Sequence, residues 1–123
     1  MKNQDEIFLI VDDEPDMCWA LAHILKRNGL CSKKALNGRE ALELVKQNRF
    51  RLCFLDAKLP DIEGLQLAKK IRDIDPLIHI VIVSGYFYKD DTEIMGAQKQ
   101  GLINDFIAKP FFHKEVLKVI ERL

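Results

Sequence analysis

Five times along the 123 residues, a short apolar run gives way to a stretch in which apolar residues recur every three or four positions. Runs of this length, unbroken by polar residues, suit strands buried on both faces, as in a parallel sheet covered by helices. Ile7 to Val11 is the first run. Pro15 then suits the first turn of a helix, along which Met17, Leu21, Ile24 and Leu25 form a stripe that Asn28-Gly29 stops. A weaker strand spans Leu30 to Leu36. Asn37 is placed to cap the second helix, with Glu40 three residues on completing a capping-box-like pair and Ala41, Leu42 and Val45 forming the apolar face. Leu52 to Leu55 is the third strand and ends at Asp56. "LPDIEG" is a loop, and Leu67, Ala68 and Ile71 mark a third helix before Pro76. "HIVIVS", 79 to 84, is the most β-branched run and reads as a central strand. A fourth helix is expected from near Asp90 or Asp91 to near Gly101. "DFIA", 105 to 108, is a short strand, and Val116, Val119, Ile120 and Leu123 line a last helix. Five strands alternating with five helices predict an α/β sandwich around a parallel sheet, one domain over 1–123 with no repeat and no linker.

In open parallel sheets, ligands bind beyond the carboxyl ends of the strands. Strand one ends at Asp12 and Asp13, strand three at Asp56, strand four at Ser84 and strand five at Lys109. Each has a plainer role when taken alone. Asp13 or Glu14 can cap the first helix, Asp56 can start a turn, Ser84 can form one, and Lys109-Pro110 can be a solvated loop. Together at four strand ends they form a hard-oxygen site for Mg²⁺ with a phosphoryl group beside it. Two carboxylates about 4 Å apart repel by roughly 4 kcal/mol at an effective dielectric near 20, and a divalent ion answers that repulsion. A carboxylate is also a nucleophile able to carry a covalent phosphoryl group.

Composition excludes several other classes. Nineteen basic residues balance nineteen acidic ones, so no global field favours nucleic acid. No apolar run approaches the ~18 residues needed to cross a bilayer. MKNQDEIFLI is too acidic, and its apolar stretch too short, for a signal peptide. Cys18, Cys31 and Cys53 lack C-x-x-C spacing and fit reduced, buried thiols in a cytoplasmic protein. His23, His79 and His113 show no zinc-ligand spacing. Trp19 lies off the Met17–Leu21 stripe, at a helix edge or against a partner, and "YFY" at 86 to 88 reads as a partly exposed loop.

Four stretches carry a family resemblance: "LIVDDE" at 9 to 14, "FLDAKLPDIEG" at 54 to 64, "IVIVSG" at 80 to 85 and "DFIAKPF" at 105 to 111. With them the chain resembles, over nearly its whole length, the receiver domains of two-component response regulators. The resemblance implies a flavodoxin-like (βα)5 three-layer sandwich with strand order 2-1-3-4-5. It implies that Asp56 accepts phosphate from a sensor histidine kinase or phosphotransfer protein, and that the chain is no enzyme beyond its own phosphorylation and dephosphorylation. Asp12, Asp13 and Asp56 would hold Mg²⁺, joined by the main-chain carbonyl of Lys58. Lys109 would pair with the phosphoryl oxygens, Ser84 and Phe106 would be the switch pair, and Lys109-Pro110 would be cis. The output surface, on the fourth helix, fifth strand and fifth helix, would serve homodimerisation or a following domain that controls transcription. "DMCWAL" looks like the first helix of receivers attached to sigma-54-dependent activators. Lys58 and Tyr86 fall at the positions covering the approach of water to the phosphoryl group, which predicts slow self-dephosphorylation. The chain departs from the family pattern in three ways. "GLINDF" carries one residue more than the usual Gly-Ala-x-Asp-aromatic, "GYFYKDD" enlarges a loop, and Phe106 lacks the hydroxyl of the tyrosine common there.

Two other functions fit parts of the pattern. A phosphohydrolase of the haloacid-dehalogenase kind pairs its nucleophile with a second Asp two residues on, where this chain has Lys58. A degenerate receiver acting as a constitutive interaction module normally loses acidic residues or the lysine, and here all are present.

Overall fold

The computed structural model describes residues 6–85 and 92–123. Strands and helices alternate in the order β1 (Ile7–Val11), α1 (Pro15–Arg27), β2 (Cys31–Ala35), α2 (Gly38–Gln47), β3 (Phe50–Asp56), α3 (Gly64–Ile74), β4 (His79–Ser84), α4 (Thr92–Lys99), β5 (Asp105–Ala108) and α5 (His113–Glu121). The strands form one parallel sheet in the order β2-β1-β3-β4-β5, the flavodoxin-like order expected. Side chains alternate across the sheet. Leu9, Val11, Cys53, Leu55, Ile80 and Ile82 face the layer of α2, α3 and α4. Phe8, Ile10, Leu52, Phe54, Val81 and Val83 face α1 and α5. The interiors of β1, β3 and β4 are therefore apolar on both sides, which is why these runs read as continuous.

Local signals set the element ends. Pro15 starts α1, and Gly29 takes φ +74° just past its end, a conformation that costs a glycine little. Asn37 caps α2 by accepting from the Glu40 amide at 2.8 Å. The return half of the expected capping box lands one residue earlier, because the Leu36 amide donates to Glu40 Oε1 at 3.0 Å. The α5 turn is closed by the Phe112 amide donating to Glu115 Oε1 at 3.0 Å.

Several expectations change. β3 begins at Phe50, two residues early, and Leu123 lies beyond α5. Cys18 and Cys53 are buried, but Cys31 is exposed on the edge strand. Trp19 is exposed and stacks on His23, ring centroids 4.9 Å apart. The expected start of α4 near Asp90 or Asp91, and the Tyr86–Tyr88 loop, lie outside the described residues. The "GLINDF" stretch forms the turn between α4 and β5. Gly101 turns the chain at φ +78°, and Ile103 is buried in the core. Asn104 then pairs with both backbone groups of Ile80, through its amide N–H and its Oδ1, each at 2.8 Å. The Arg72 guanidinium donates to the carbonyls of Pro76, Ile78 and Leu102 and to Asn104 Oδ1, tying α3 to this turn. Among the described residues, no helix is long and apolar enough to cross a membrane.

Gly64 leaves no room for a side chain against neighbouring backbone. A β-carbon there would lie 2.6 Å from the Asp56 carbonyl oxygen and 2.8 Å from Ala57 Cα. Gly96, inside α4, would have open space around one. Gly64→Ala is expected to cost about 1–3 kcal/mol by displacing backbone, whereas Gly96→Ala should gain about 0.5–1 kcal/mol from helix propensity. Urea denaturation of both variants checks the contrast, and equal effects would refute it.

Candidate functional site

Strand register brings the expected residues together. Val11 pairs with Leu55 and Asp56 with Val83, so Asp12 leaves the sheet beside Asp56. Ser84 pairs with Ala108, which places Lys109 one residue past the neighbouring strand end. The Lys109 amide donates to the Ser84 carbonyl at 2.7 Å, and the Lys109–Pro110 bond that follows is cis, as expected.

Lys109 Nζ lies 2.9 Å from Asp12 Oδ2, 3.7 Å from Asp56 Oδ2 and 3.8 Å from Glu14 Oε1. Asp12, Asp56 and Ser84 are buried, while Asp13 and Glu14 face solvent. Asp12 accepts from the Glu14 amide on Oδ1 at 2.9 Å, and its carbonyl accepts from the buried Cys18 thiol at 3.3 Å. Asp56 Oδ1 accepts from the Lys58 amide at 3.3 Å. The capping role open to Asp13 or Glu14 is not filled by Glu14, the residue at the α1 N-cap, whose side chain makes no cap hydrogen bond. Its carboxylate stands instead on the Lys109 side. Asp61 carries a contact that sequence reading passed over, its carboxylate accepting from the Gly38 and Arg39 amides at the start of α2. A Pro-Asp pair at a loop tip was the available signal.

Burial pushes the Asp56 carboxyl up to about 6, with Asp12 and Asp13 adding to the rise and Lys109 and the Lys58 amide opposing it. Burial would lower Lys109, but its hydrogen bond to Asp12 and the charges of Asp56, Asp12 and Glu14 outweigh that, so its pKa is raised and it stays an ammonium. Burial, then the Asp12 charge, raises the Cys18 thiol. One oxygen from each of Asp12, Asp13 and Asp56 lies within 4.8 Å of the others. Three hard oxygen donors, one on a solvent-facing residue, suit a divalent cation that keeps part of its water.

Ser84 follows Ile82 by two residues and so shares its sheet face by alternation. Phe106 pairs with Ile82 and packs, half-buried, on that same α4 side. The serine and the phenylalanine thus occupy one face of adjacent strands. Tyr86 lies outside the described residues.

An acid raised on folding destabilises the native state above its folded pKa and has no effect below its unfolded one. Without metal, Asp56→Asn is therefore expected to stabilise by about 1–3 kcal/mol near pH 8, given an unfolded Asp pKa near 3.9. The gain should shrink as pH falls through about 6 and close near pH 4. Urea midpoints in chelator across this range test it, and a difference that does not vary with pH would contradict the cause given.

Residues 8–121 match the family model of the response regulator receiver domain. The chain is 30% identical to sporulation initiation phosphotransferase F of Bacillus subtilis, over 96% of this chain and 93% of that protein. Other curated relatives are longer, some of them DNA-binding transcriptional regulators of which the chain spans 23 to 25%. Among solved structures, it is similar to a response regulator from Burkholderia pseudomallei with a phosphorylated aspartic acid, calcium ion and citrate, at 30% identity and TM-score 0.83 over 94% of this chain and 66% of that one. It is also similar to TrrA of Thermotoga maritima in complex with Mg²⁺ and BeF, at 27% identity and TM-score 0.82 over 95% and 97% of the two chains. With this strand order and three carboxylates facing one lysine at its sheet edge, the chain belongs to the receiver domains of two-component response regulators.

Proposed function

We propose that Asp56 takes a phosphoryl group from the phosphohistidine of a sensor histidine kinase or phosphotransfer protein, with Mg²⁺ held by Asp12, Asp13, Asp56 and the main-chain carbonyl of Lys58. The observation that carries this is the partly buried ammonium of Lys109 facing Asp12 and Asp56, beside three carboxylates able to share one ion. In the transfer, an Asp56 oxygen forms a bond to phosphorus, the N–P bond of the phosphohistidine breaks, and its electron pair leaves with the imidazole. A bound Mg²⁺ supplies charge neutralisation between the carboxylate and the phosphoryl oxygens. The rest of the work falls to this chain. The Lys58 amide fixes one Asp56 oxygen, and Lys109 stands ready to pair with the incoming oxygens in a charge-assisted bond. A carboxyl near 6 is mostly ionised at pH 7 and so serves as a nucleophile. Phosphoryl transfer asks little else of a protein than position and charge. Self-phosphorylation and self-dephosphorylation are then its only chemistry.

The same reading makes Ser84 and Phe106 the switch. New acceptor oxygens on Asp56 draw the Ser84 hydroxyl inward and vacate space for Phe106 on the shared face, which repacks the surface of α4, β5 and α5. That surface would serve a homodimer or a following output domain, and the longer transcriptional regulators among the relatives favour transcription as the output. Direct nucleic-acid binding by this chain is not part of the reading. Free thiols at Cys18, Cys31 and Cys53 fit a reducing cytoplasm. Lys58, where a haloacid-dehalogenase-like enzyme has its second Asp, speaks against a phosphohydrolase. The complete acidic set speaks against a degenerate module.

With acetyl phosphate and Mg²⁺, intact mass should rise by about 80 Da in the wild type, one phosphoryl on one carboxylate, and stay unchanged in Asp56→Asn. An undiminished adduct in that variant moves the nucleophile elsewhere. Beryllofluoride with Mg²⁺ should alter amide exchange in α4, β5 and α5 more than in α2 or β2. Identical exchange with and without it removes the switch.

A further inference from the structure

We propose that Asp61 is a positioning residue for the metal and phosphoacceptor site, acting through the loop that follows Asp56. The inference rests on the reading given under the proposed function.

The chain between Asp56 and Gly64 folds back on itself. Lys58 and Glu63 form an antiparallel bridge, the Leu59 amide donates to the Ile62 carbonyl at 3.3 Å, and the Gly64 amide donates to the Ala57 carbonyl at 2.8 Å. The result is a narrow hairpin with Pro60 and Asp61 at its tip. Its base is the site itself, for the Lys58 amide holds Asp56 Oδ1 and the Lys58 carbonyl is the proposed fourth ligand.

The tip is tied down as firmly as the base. Asp61 Oδ1 accepts from the Gly38 amide at 2.9 Å, and Oδ2 accepts from the Arg39 amide at 3.0 Å. These are the first two residues of α2, where amides lack partners within the helix and the dipole favours an anion. Asn37, the helix's own cap, accepts the Glu40 amide on its side-chain oxygen, so its carboxamide and the Asp61 carboxylate divide the Gly38, Arg39 and Glu40 amides between them. The approach is close enough that a β-carbon on Gly38 would collide with Ile62. The Gly38 amide, then burial and the Arg39 amide, set the Asp61 carboxyl, whose net shift is below its usual range.

A hairpin held at both ends cannot pivot about Gly64. Released at the tip, it keeps only its internal bonds, and a swing there carries Lys58 with it. Magnesium demands near-ideal octahedral geometry at about 2.1 Å, so a small displacement of one ligand carbonyl weakens the ion.

Calorimetric titration with Mg²⁺ separates this from simple helix capping. Asp61→Ala should weaken Mg²⁺ binding by about 10-fold, the lower end of what outer-shell changes do to metal affinity. Asp61→Asn, which keeps one acceptor oxygen, should fall between it and wild type and provides a folded variant if the alanine protein is unstable. Asn37→Ala removes the cap without touching the hairpin, so it should lower the urea midpoint yet leave Mg²⁺ affinity within about twofold of wild type. At saturating Mg²⁺, phosphorylation of the Asp61 variants by acetyl phosphate should return to the wild-type rate. If Asp61→Ala binds Mg²⁺ like wild type, or Asn37→Ala loses as much affinity, the assignment is overturned. If the wild type itself neither binds Mg²⁺ nor gains a phosphoryl group, the underlying reading falls and takes this one with it.

Discussion

The ion pair between Lys109 and Asp12 spans 97 residues of chain and two intervening strands, and the sheet edge is organised around it. Asp12 and Asp56 come from the adjacent strands β1 and β3, so the register that makes the sheet also forces two carboxylates together. Burial strengthens their repulsion, because the same separation costs several times more at a protein-like dielectric than in water. One ammonium reaching back from the end of β5 meets Asp12 directly and Asp56 and Glu14 at longer range. Four carboxylates against one lysine leave the edge short of positive charge. Burial raises the Asp56 carboxyl, Lys109 only partly offsets it, and Asp12 and Asp13 add to the rise; a divalent cation would relieve the charge deficit.

The same geometry explains what could be read from the sequence. Strands buried on both faces leave long apolar runs, so the order of elements and the residues at strand ends were legible without knowing the register. What was not legible depended on local exceptions. β3 was expected from Leu52 because Arg51 interrupts the pattern. Arg51 is the additional residue where the β1–β3 register shifts, pairing with Glu6 at 2.8 Å on the exposed side. Cys31 was expected inside, but β2 is an edge strand on which only Ala35 is buried. The reach of Asp61 to α2 joins residues 22 and 23 apart in sequence, and no local rule marks such a contact. Propensity and periodicity describe neighbours along the chain, whereas these features are settled by neighbours in space.

The "GLINDF" turn illustrates how contacts in space hold a strand's register. An additional residue before β5 would slip the strand and turn its core side chains outward, since one residue reverses every face. Asn104 prevents this by pairing with both backbone groups of Ile80, through its own amide N–H and its side-chain oxygen. The Arg72 guanidinium then joins this turn to the one after α3, donating to the carbonyls of Leu102 and Pro76. Register is kept, and Ser84 still meets Ala108 beside Lys109.

The helices are not equally anchored, and that bears on the direction in which a charge event at Asp56 would propagate. α1 buries Cys18, Leu21, Ile24 and Leu25, and α3 buries Leu67, Ala68 and Ile71 along with Gly64. α4 buries only Ile94 and Ala97 among its described residues, and it leaves Met95 exposed. Each buried aliphatic side chain holds an element by roughly 1.5–3 kcal/mol, so α4 is the least securely held of the three. Low-stability elements are the ones that move when a site changes. Ser84 and Phe106 lie on the sheet face that α4 covers, so a pull on the serine hydroxyl acts first where the packing resists least. On the opposite face, Val83 and Ile107 are buried together with Val116 and Val119 of α5, and a displacement there would open apolar contacts on two elements at once. The asymmetry of packing, more than the position of the phosphoryl group, would then select α4 and its flanks as the surface that reports phosphorylation.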